Sequence, residues 1–209
     1  MRLLADNYAK AGFYCYVPDL HQGKSVPLSF LTTIEPPLKT RETITKEQKE
    51  EAGAEIGRVL MPWLGEHPHE KTKSLIESFI AAVRKDPGTG KLGAIGFCWG
   101  GKYSILAAHS DVDAAYACHP SLVAVPDDLE GVTKPLSLAV GEKDSLLDVP
   151  TVEKMREALV KTGVPHEVII YEDQVHGFAL RSDWSDEKDK KAMDDAEKQG
   201  IAWFEKYLA

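Results

Sequence analysis

Residues 91–109 have the pattern of a short apolar strand, a glycine-rich turn and a helix, in that order. The strand is Lys91–Phe97 (KLGAIGF), the turn is Cys98–Gly101 (CWGG), and Lys102–His109 has helix composition. A strand that passes through a tight turn into a helix is the building unit of parallel α/β sheets. This segment therefore places the chain in the α/β class.

The same alternation continues through most of the chain, which predicts parallel strands with crossover helices. We expect one α/β domain spanning residues 1–209, with a mostly parallel sheet and helices on both faces. Further predicted strands are Phe13–Val17, Val112–Cys118, Leu136–Gly141 and Val168–Tyr171. Predicted helices are 3–11 with Gly12 at its end, 75–83, Pro150–Thr162 with Gly163 at its end, and Asp186–Leu208.

Residues 18–70 interrupt this pattern. The segment contains six prolines, and only Arg41–Glu55 has helical character, which is weak. A connection of this length in a compact domain is usually functional or disordered. We expect a lid over a binding site, and a plain surface insertion is the alternative.

Composition restricts the partners and the cellular setting. With 43% hydrophobic residues the 209-residue chain can fill a core, and its formal net charge of -8 would repel a nucleic-acid backbone. No apolar run approaches the roughly 18 residues of a membrane helix, and no signal peptide is evident. Three cysteines, an odd number, indicate reduced thiols. We expect a cytoplasmic protein with no nucleic-acid or membrane partner.

Residues 96–100 (GFCWG) have the G-x-nucleophile-x-G form of a nucleophile elbow, with sulfur at the centre. The helix that follows directs the positive end of its dipole at Cys98, which favours the thiolate, and the Trp99 amide would point to where an oxyanion forms. The alternative is a buried cysteine in a glycine-rich turn, the ordinary role of this residue type.

The order of two later residues favours the catalytic interpretation. Asp144 follows the predicted strand that ends at Gly141, and His176 follows the one that ends at Tyr171. Open parallel sheets carry their chemistry at these strand ends, and the order nucleophile, acid, histidine is that of the α/β-hydrolases. We predict that Cys98 attacks an acyl carbon, His176 takes the thiol proton and Asp144 orients the imidazole.

Other titratable residues have simpler interpretations. His119 follows a strand and either lines the pocket or has a plain loop role. We interpret Glu142, Asp148 and Asp173 as loop or N-cap carboxylates, Cys15 and Cys118 as core residues, and His21, His67, His69, His109 and His166 as surface residues without metal-ligand spacing. We therefore expect neither a metal nor an organic cofactor.

At these residues the chain resembles the dienelactone hydrolase family of α/β-hydrolases. The resemblance covers almost the whole chain, and its motifs are 16–20 (YVPDL), 96–101 (GFCWGG), 141–144 (GEKD) and 176–179 (HGFA), with Arg181 close behind. It implies a Cys98, His176 and Asp144 triad that acts on lactones or related small esters. It also implies that an arginine near the histidine, here Arg181, holds a substrate carboxylate.

The chain departs from the family pattern at its start. The resemblance implies earlier strands, one of which ends in a loop with a glutamate and a second oxyanion amide, and these do not precede Met1. We expect an N-terminally shortened sheet with a gap between Phe13–Val17 and Lys91–Phe97. The gap would leave unpaired backbone unless the two neighbours close up or another chain fills it, as in a homodimer.

Three functional hypotheses follow. The first is a Cys-dependent hydrolase of lactones or small carboxylic esters, with activity weakened or absent if the oxyanion loop is missing. The second is a non-catalytic, hydrolase-like protein that binds a small ligand under the lid. Thiol-based redox sensing is the third, although no second cysteine stands beside Cys98 in the sequence.

Overall fold

A computed structural model describes residues 1–34 and 43–209 of the 209-residue chain. Within these residues four parallel strands form one sheet and lie side by side in chain order. They are β1 (Gly93–Phe97), β2 (Ala114–Cys118), β3 (Leu136–Gly141) and β4 (His166–Tyr171). Each was predicted from an apolar run, and each predicted start lies within two residues of the observed one.

The helices surround this sheet and confirm the alternation. They are α1 (Arg2–Lys10), α2 (Leu28–Ile34), α3 (Lys46–Glu55), α4 (Met61–Glu66), α5 (His69–Arg84), α6 (Trp99–Ala107), α7 (Asp127–Glu130), α8 (Val149–Thr162), α9 (Phe178–Arg181) and α10 (Glu187–Leu208). A π-helical segment, Ile56–Leu60, joins α3 to α4. The Asp148 carboxylate accepts from the Thr151 amide at 2.9 Å and so caps α8, as predicted.

The sheet has a helical layer on each face, as expected. Helices α5, α6, α7 and α8 cover one face around Leu138 and Val140, because each crossover between consecutive parallel strands returns over the same side. Helices α1 and α10 cover the other face, where Tyr116 packs against Ala196, Trp203 and Phe204. The residues of β2 and β3 are buried throughout.

The predicted strand Phe13–Val17 is wrong. The segment has no regular secondary structure, and within residues 1–34 and 43–209 the amides of residues 14–17 make no backbone hydrogen bond and β1 pairs only with β2. Phe13 still packs on Phe204 and Tyr16 on Phe79, so its side chains reach the helices on both faces of the sheet. An apolar segment forms a β-strand only when a neighbouring strand accepts and donates its backbone hydrogen bonds. In the described residues no strand lies next to residues 13–17.

Residues 18–70 contain more helix than their composition indicates. Helix α3 begins with a capping box, in which the side chains of Thr45 and Gln48 each accept a hydrogen bond from the other residue's backbone amide. The helix confirms helical structure within the predicted 41–55. Residues 41 and 42 of that prediction lie outside the described ranges. Among the described residues, no helix is long and apolar enough to cross a membrane.

Candidate active site

Cys98 lies in a strained turn between β1 and α6. Its φ of 51° and ψ of -122° are unfavourable for a residue with a side chain, and such strain concentrates at functional positions. The turn is tight, since a Cβ on Gly96 would lie 2.1 Å from the Gly100 carbonyl oxygen. Only glycine fits at residue 96, which is the physical reason for the first glycine of the motif.

The structure brings the three predicted site residues together. His176 Nε2 lies 3.0 Å from Cys98 Sγ, and His176 Nδ1 lies 2.9 Å and 3.1 Å from the two carboxylate oxygens of Asp144. Asp144 is itself held, because its Oδ1 accepts from the amides of Leu146 and Leu147. The imidazole therefore bridges a thiol and a fixed carboxylate, which is the arrangement of an activated nucleophile.

The loops after β3 and β4 approach each other closely. A Cβ on Gly141 would lie 2.4 Å from the Gln174 carbonyl oxygen, so a side chain there would push the two loops apart. The amide of Lys143 donates to the same oxygen at 2.8 Å. These contacts place Asp144 and His176 within hydrogen-bonding distance, although 31 residues separate them in the chain.

Burial and hydrogen bonding shift the two proton-sharing groups in opposite directions. Burial disfavours charge on His176, but its hydrogen bonds to Asp144 and Cys98 outweigh this and raise its pKa to about 9. Burial likewise opposes the Cys98 thiolate, but hydrogen bonds from His176, Ser121 and the Trp99 backbone outweigh it and lower the thiol pKa. Both directions favour a thiolate–imidazolium pair near neutral pH.

Ser121 is a site residue that the sequence interpretation missed. Its hydroxyl lies 3.7 Å from Cys98 Sγ, and its amide donates to the Cys98 carbonyl at 3.0 Å. Ser121 follows β2, which pairs with β1, so the loops after the two strands meet at one edge of the sheet. The available signal was a serine two residues after the tip residue His119.

His119 lies behind His176, with the ring centroids 5.1 Å apart and the planes at 68°. The residue is 1% exposed, and among the described residues neither ring nitrogen has a hydrogen-bond partner. Burial, with the nearby charges of His176 and Arg181, lowers its pKa well below the usual value. The structure thus places a neutral ring against the triad histidine, and a substrate-lining role for His119 stays a prediction.

Arg181, the predicted carboxylate-binding residue, lies on α9 near the triad. Its Nη1 donates to the Leu31 carbonyl at 3.2 Å and its Nη2 to the His176 carbonyl at 3.4 Å. The guanidinium therefore links helix α2, in the predicted lid, to the backbone of the triad histidine. Its role in substrate binding stays a prediction.

The predicted lid contacts the site through aromatic rings. Trp63 of α4 lies 5.1 Å, centroid to centroid, from Trp99, the residue after Cys98, and it stacks on His67 at 4.1 Å. Its indole nitrogen donates to the Lys24 carbonyl. His21 also contacts both tryptophan rings. We refer to His21, Trp63, His67 and Trp99 as the aromatic cluster.

The remaining titratable candidates lie outside the triad. Glu142 Oε2 accepts from the Asp173 amide, so these two acidic residues belong to the loops that support the site. Cys118 is buried, and burial raises its pKa to about 12. The residues that the structure describes contain no group of three or more histidine, cysteine or acidic side chains positioned to hold a metal.

A sequence model of the dienelactone hydrolase family matches residues 1–208. The chain belongs to the dienelactone hydrolase family. Members of this family are hydrolases with the α/β-hydrolase fold, and the parallel sheet with helices on both faces agrees with it.

Two relatives show the extent of the similarity. The chain is 27% identical over 208 residues to the hydrolase pyvD of Aspergillus violaceofuscus, which covers 99% of this chain and 75% of that protein. It is 25% identical over 154 residues to the carboxymethylenebutenolidase homolog of Mus musculus, covering 70% of this chain and 61% of that protein.

A solved structure has a similar fold. The crystal structure of a candidate dienelactone hydrolase from Klebsiella pneumoniae superposes with a TM-score of 0.57 at 26% identity. The superposition covers 67% of this chain and 62% of that one.

Proposed function

We propose that this chain hydrolyses lactones or small carboxylic esters through a covalent thioester on Cys98. The observation that carries the proposal is the imidazole of His176 bridging Cys98 Sγ at 3.0 Å and Asp144 at 2.9 Å. Family membership supports hydrolysis in general, and the carboxymethylenebutenolidase name of the mouse relative supports a lactone as substrate.

The first half-reaction forms the acyl-enzyme. Cys98 Sγ, as thiolate, attacks the acyl carbon, and the carbonyl electron pair moves onto oxygen to give a tetrahedral oxyanion. When that pair returns, the bond from carbon to the alkoxy oxygen breaks, and the His176 imidazolium donates its Nε2 proton to the leaving oxygen. In a lactone the leaving oxygen stays attached, so the ring opens.

The second half-reaction regenerates the enzyme. Neutral His176 removes a proton from water, the resulting hydroxide oxygen attacks the thioester carbon, and Cys98 leaves as thiolate beside the re-formed imidazolium. Asp144 keeps Nδ1 protonated throughout and stabilises the ring in the states in which it is positive. The buried position of the Asp144 carboxylate strengthens this interaction, since water does not screen it.

The Trp99 amide is the proposed oxyanion donor. It is the first residue of α6, and it already contacts the sulfur closely enough to lower the Cys98 pKa. A helix N-terminus carries a partial positive charge, which favours negative oxygen there. The other three rings of the aromatic cluster pack on the Trp99 side chain and would limit the movement of this residue.

Multiple-turnover hydrolysis tests the proposal. The 209-residue protein and its Cys98→Ala and Cys15→Ala variants are incubated with p-nitrophenyl acetate and with dihydrocoumarin, an aryl lactone. Loss of Sγ should reduce kcat/KM by at least about 10³-fold, because the residual rate would come from the oxyanion donor and binding alone. Cys15 lies outside the site, so Cys15→Ala is the matched thiol control.

Two further readouts support or contradict the mechanism. Mass spectrometry of the quenched protein should show one acyl group on Cys98. The rate should fall at low pH as the Cys98 thiolate is protonated, and fall above pH about 9 as His176 loses the proton that it donates. Full turnover in Cys98→Ala would exclude the thioester, and tight ligand binding without turnover would favour a non-catalytic binding protein.

A further inference from the structure

Ser121 holds the nucleophilic residue through two contacts. Its amide donates to the Cys98 carbonyl at 3.0 Å, and its hydroxyl oxygen lies 3.7 Å from Cys98 Sγ. The residue is 7% exposed, so water does not compete freely for the hydroxyl. Ser121 therefore touches the atom that would attack the substrate.

The loop that carries Ser121 is fixed by other groups. The His119 amide donates to the Ala139 carbonyl at 2.6 Å, and Lys102 Nζ donates to the Leu122 carbonyl at 2.9 Å. Among the residues that the structure describes, Cys98 Sγ is the one hydrogen-bond partner of the Ser121 hydroxyl. The hydroxyl is thus directed at the sulfur without being needed to hold the loop.

The direction of the hydrogen bond follows from the state of the sulfur. A thiolate has no proton to give, so the serine O–H must donate when Cys98 is ionised. We propose that Ser121 is a further catalytic residue, whose hydroxyl donates a hydrogen bond to the Cys98 thiolate. The proposal rests on the proposed function, in which that thiolate is the nucleophile.

The hydrogen bond has two opposing kinetic consequences. It increases the thiolate fraction at low pH, and it makes each thiolate less nucleophilic because the charge is stabilised. At pH values below the pKa of the Cys98 thiol, removal of the hydroxyl should lower the thiolate fraction about tenfold. It should also raise the reactivity of each thiolate about threefold. The variant should react about threefold more slowly than wild type at low pH and about threefold faster at high pH.

The test measures thiol reactivity, which does not depend on ester turnover. Wild type and Ser121→Ala are reacted with dipyridyl disulfide from pH about 5 to about 10, both in a Cys15→Ala background. Cys118 stays silent because it is buried and its pKa is raised to about 12. The expected result is a crossing of the two rate profiles, with the inflection of Ser121→Ala at higher pH.

Two controls separate the hydroxyl from a packing effect. Ser121→Thr and Ser121→Val have nearly equal volume, so only the valine variant should show the crossing, and this pair serves also if Ser121→Ala does not fold. Ser104→Ala removes another buried hydroxyl, one that donates to the Gly101 carbonyl at 2.9 Å, and it should react like wild type.

The outcomes separate the two proposals. Profiles of Ser121→Ala and Ser121→Val that coincide with wild type, or that are lower at every pH, would overturn the role of Ser121. A crossing supports that role whether or not an ester is turned over. Absence of turnover in wild type, measured separately, would overturn the proposed function without altering the crossing.

Discussion

Two five-residue segments of similar composition have different environments in this protein. Phe13–Val17 (FYCYV) and β2 (AAYAC) each combine tyrosine, cysteine and small or apolar residues. Tyr14 is 85% exposed and Val17 53%, whereas Tyr116 and its neighbours in β2 are 0% exposed. Strands β1 and β3 flank β2 on both sides, but no strand flanks residues 13–17 within the described ranges.

The candidate site residues all lie in the half of the molecule that contains the paired sheet. Strands β1 to β4 and their loops supply Cys98, Asp144 and His176, the proposed nucleophile, acid and base, all within residues 93–176. Residues 1–70 supply helices and three members of the aromatic cluster, His21, Trp63 and His67, which contact the fourth member, Trp99, beside Cys98. We expect the two regions to differ in backbone stability and in the effect of substitutions.

The largest expected difference is in amide exchange. The amides of residues 14–17 have no backbone acceptor among the described residues, so they should exchange within about tenfold of an unstructured chain. The amides of Ala115–Cys118, within the paired sheet, should exchange more slowly by at least about 10³-fold. Hydrogen–deuterium exchange mass spectrometry measures both, and equal protection would show that residues 14–17 have gained a partner strand.

The second largest difference is expected in the free energy of unfolding of glycine-to-alanine variants in the two regions. A Cβ on Gly96 would meet the Gly100 carbonyl oxygen at 2.1 Å, and backbone atoms cannot move aside easily, so Gly96→Ala should destabilise the protein by about 3 kcal/mol or more. Gly53→Ala in α3 is the matched control, since its Cβ would meet nothing within 4 Å.

Urea unfolding measures the effect of both substitutions. Gly53→Ala should change the free energy of unfolding by under about 1 kcal/mol, because an alanine merely favours the helix. Wild-type stability in Gly96→Ala would contradict the tight turn that the structure assigns to Cys98.

Sequence patterns predicted the four strands and the three residues of the site for a local reason. Each strand is largely a short apolar run; Cys98 follows such a run directly, and Asp144 and His176 lie in the loops after the next-but-one run and the last. Parallel strands then bring their ends together without further information. Predictions of this kind use only residues that are near one another in the sequence. They are correct where the predicted strand has neighbouring strands to pair with.

The errors and omissions concern partners distant in sequence. Phe13–Val17 has the composition of a strand, but pairing depends on what lies beside it in space. Ser121 was missed because it stands 23 residues from Cys98 in the chain. The two residues meet only because β1 and β2 are adjacent in the sheet. Burial of His119 likewise depends on Phe97 and Phe178, which the sequence places far from it.

A smaller effect is expected where the two regions meet. Trp63→Ala removes the ring that contacts Trp99 and His67, and an aromatic contact of this kind contributes about 0.5–1.5 kcal/mol. If the contact steadies the Trp99 amide, kcat/KM for p-nitrophenyl acetate should fall up to about tenfold. Trp184→Ala is the control, because Trp184 is 68% exposed and lies outside the cluster. Equal rates in both variants would contradict the idea that the contact of Trp63 with Trp99 supports the site.

The smallest effect concerns His119, a polar group buried in the tightly packed half. His119→Phe keeps a ring against His176 and removes two nitrogens that have no partner among the described residues. An unsatisfied buried polar group costs about 1–3 kcal/mol, but phenylalanine tolerates the positive φ of 37° less well than histidine. The net gain in the free energy of unfolding should therefore be about 1 kcal/mol, measured by urea unfolding.

The pH profile of His119→Phe completes the comparison. His119 is already neutral near pH 7, because burial lowers its pKa well below the usual value, so its replacement should leave both limbs of the esterase profile in place. A destabilised His119→Phe would contradict the expected gain and would mean that backbone strain at residue 119, or a partner of a ring nitrogen such as a buried water, outweighs the removal of the two nitrogens.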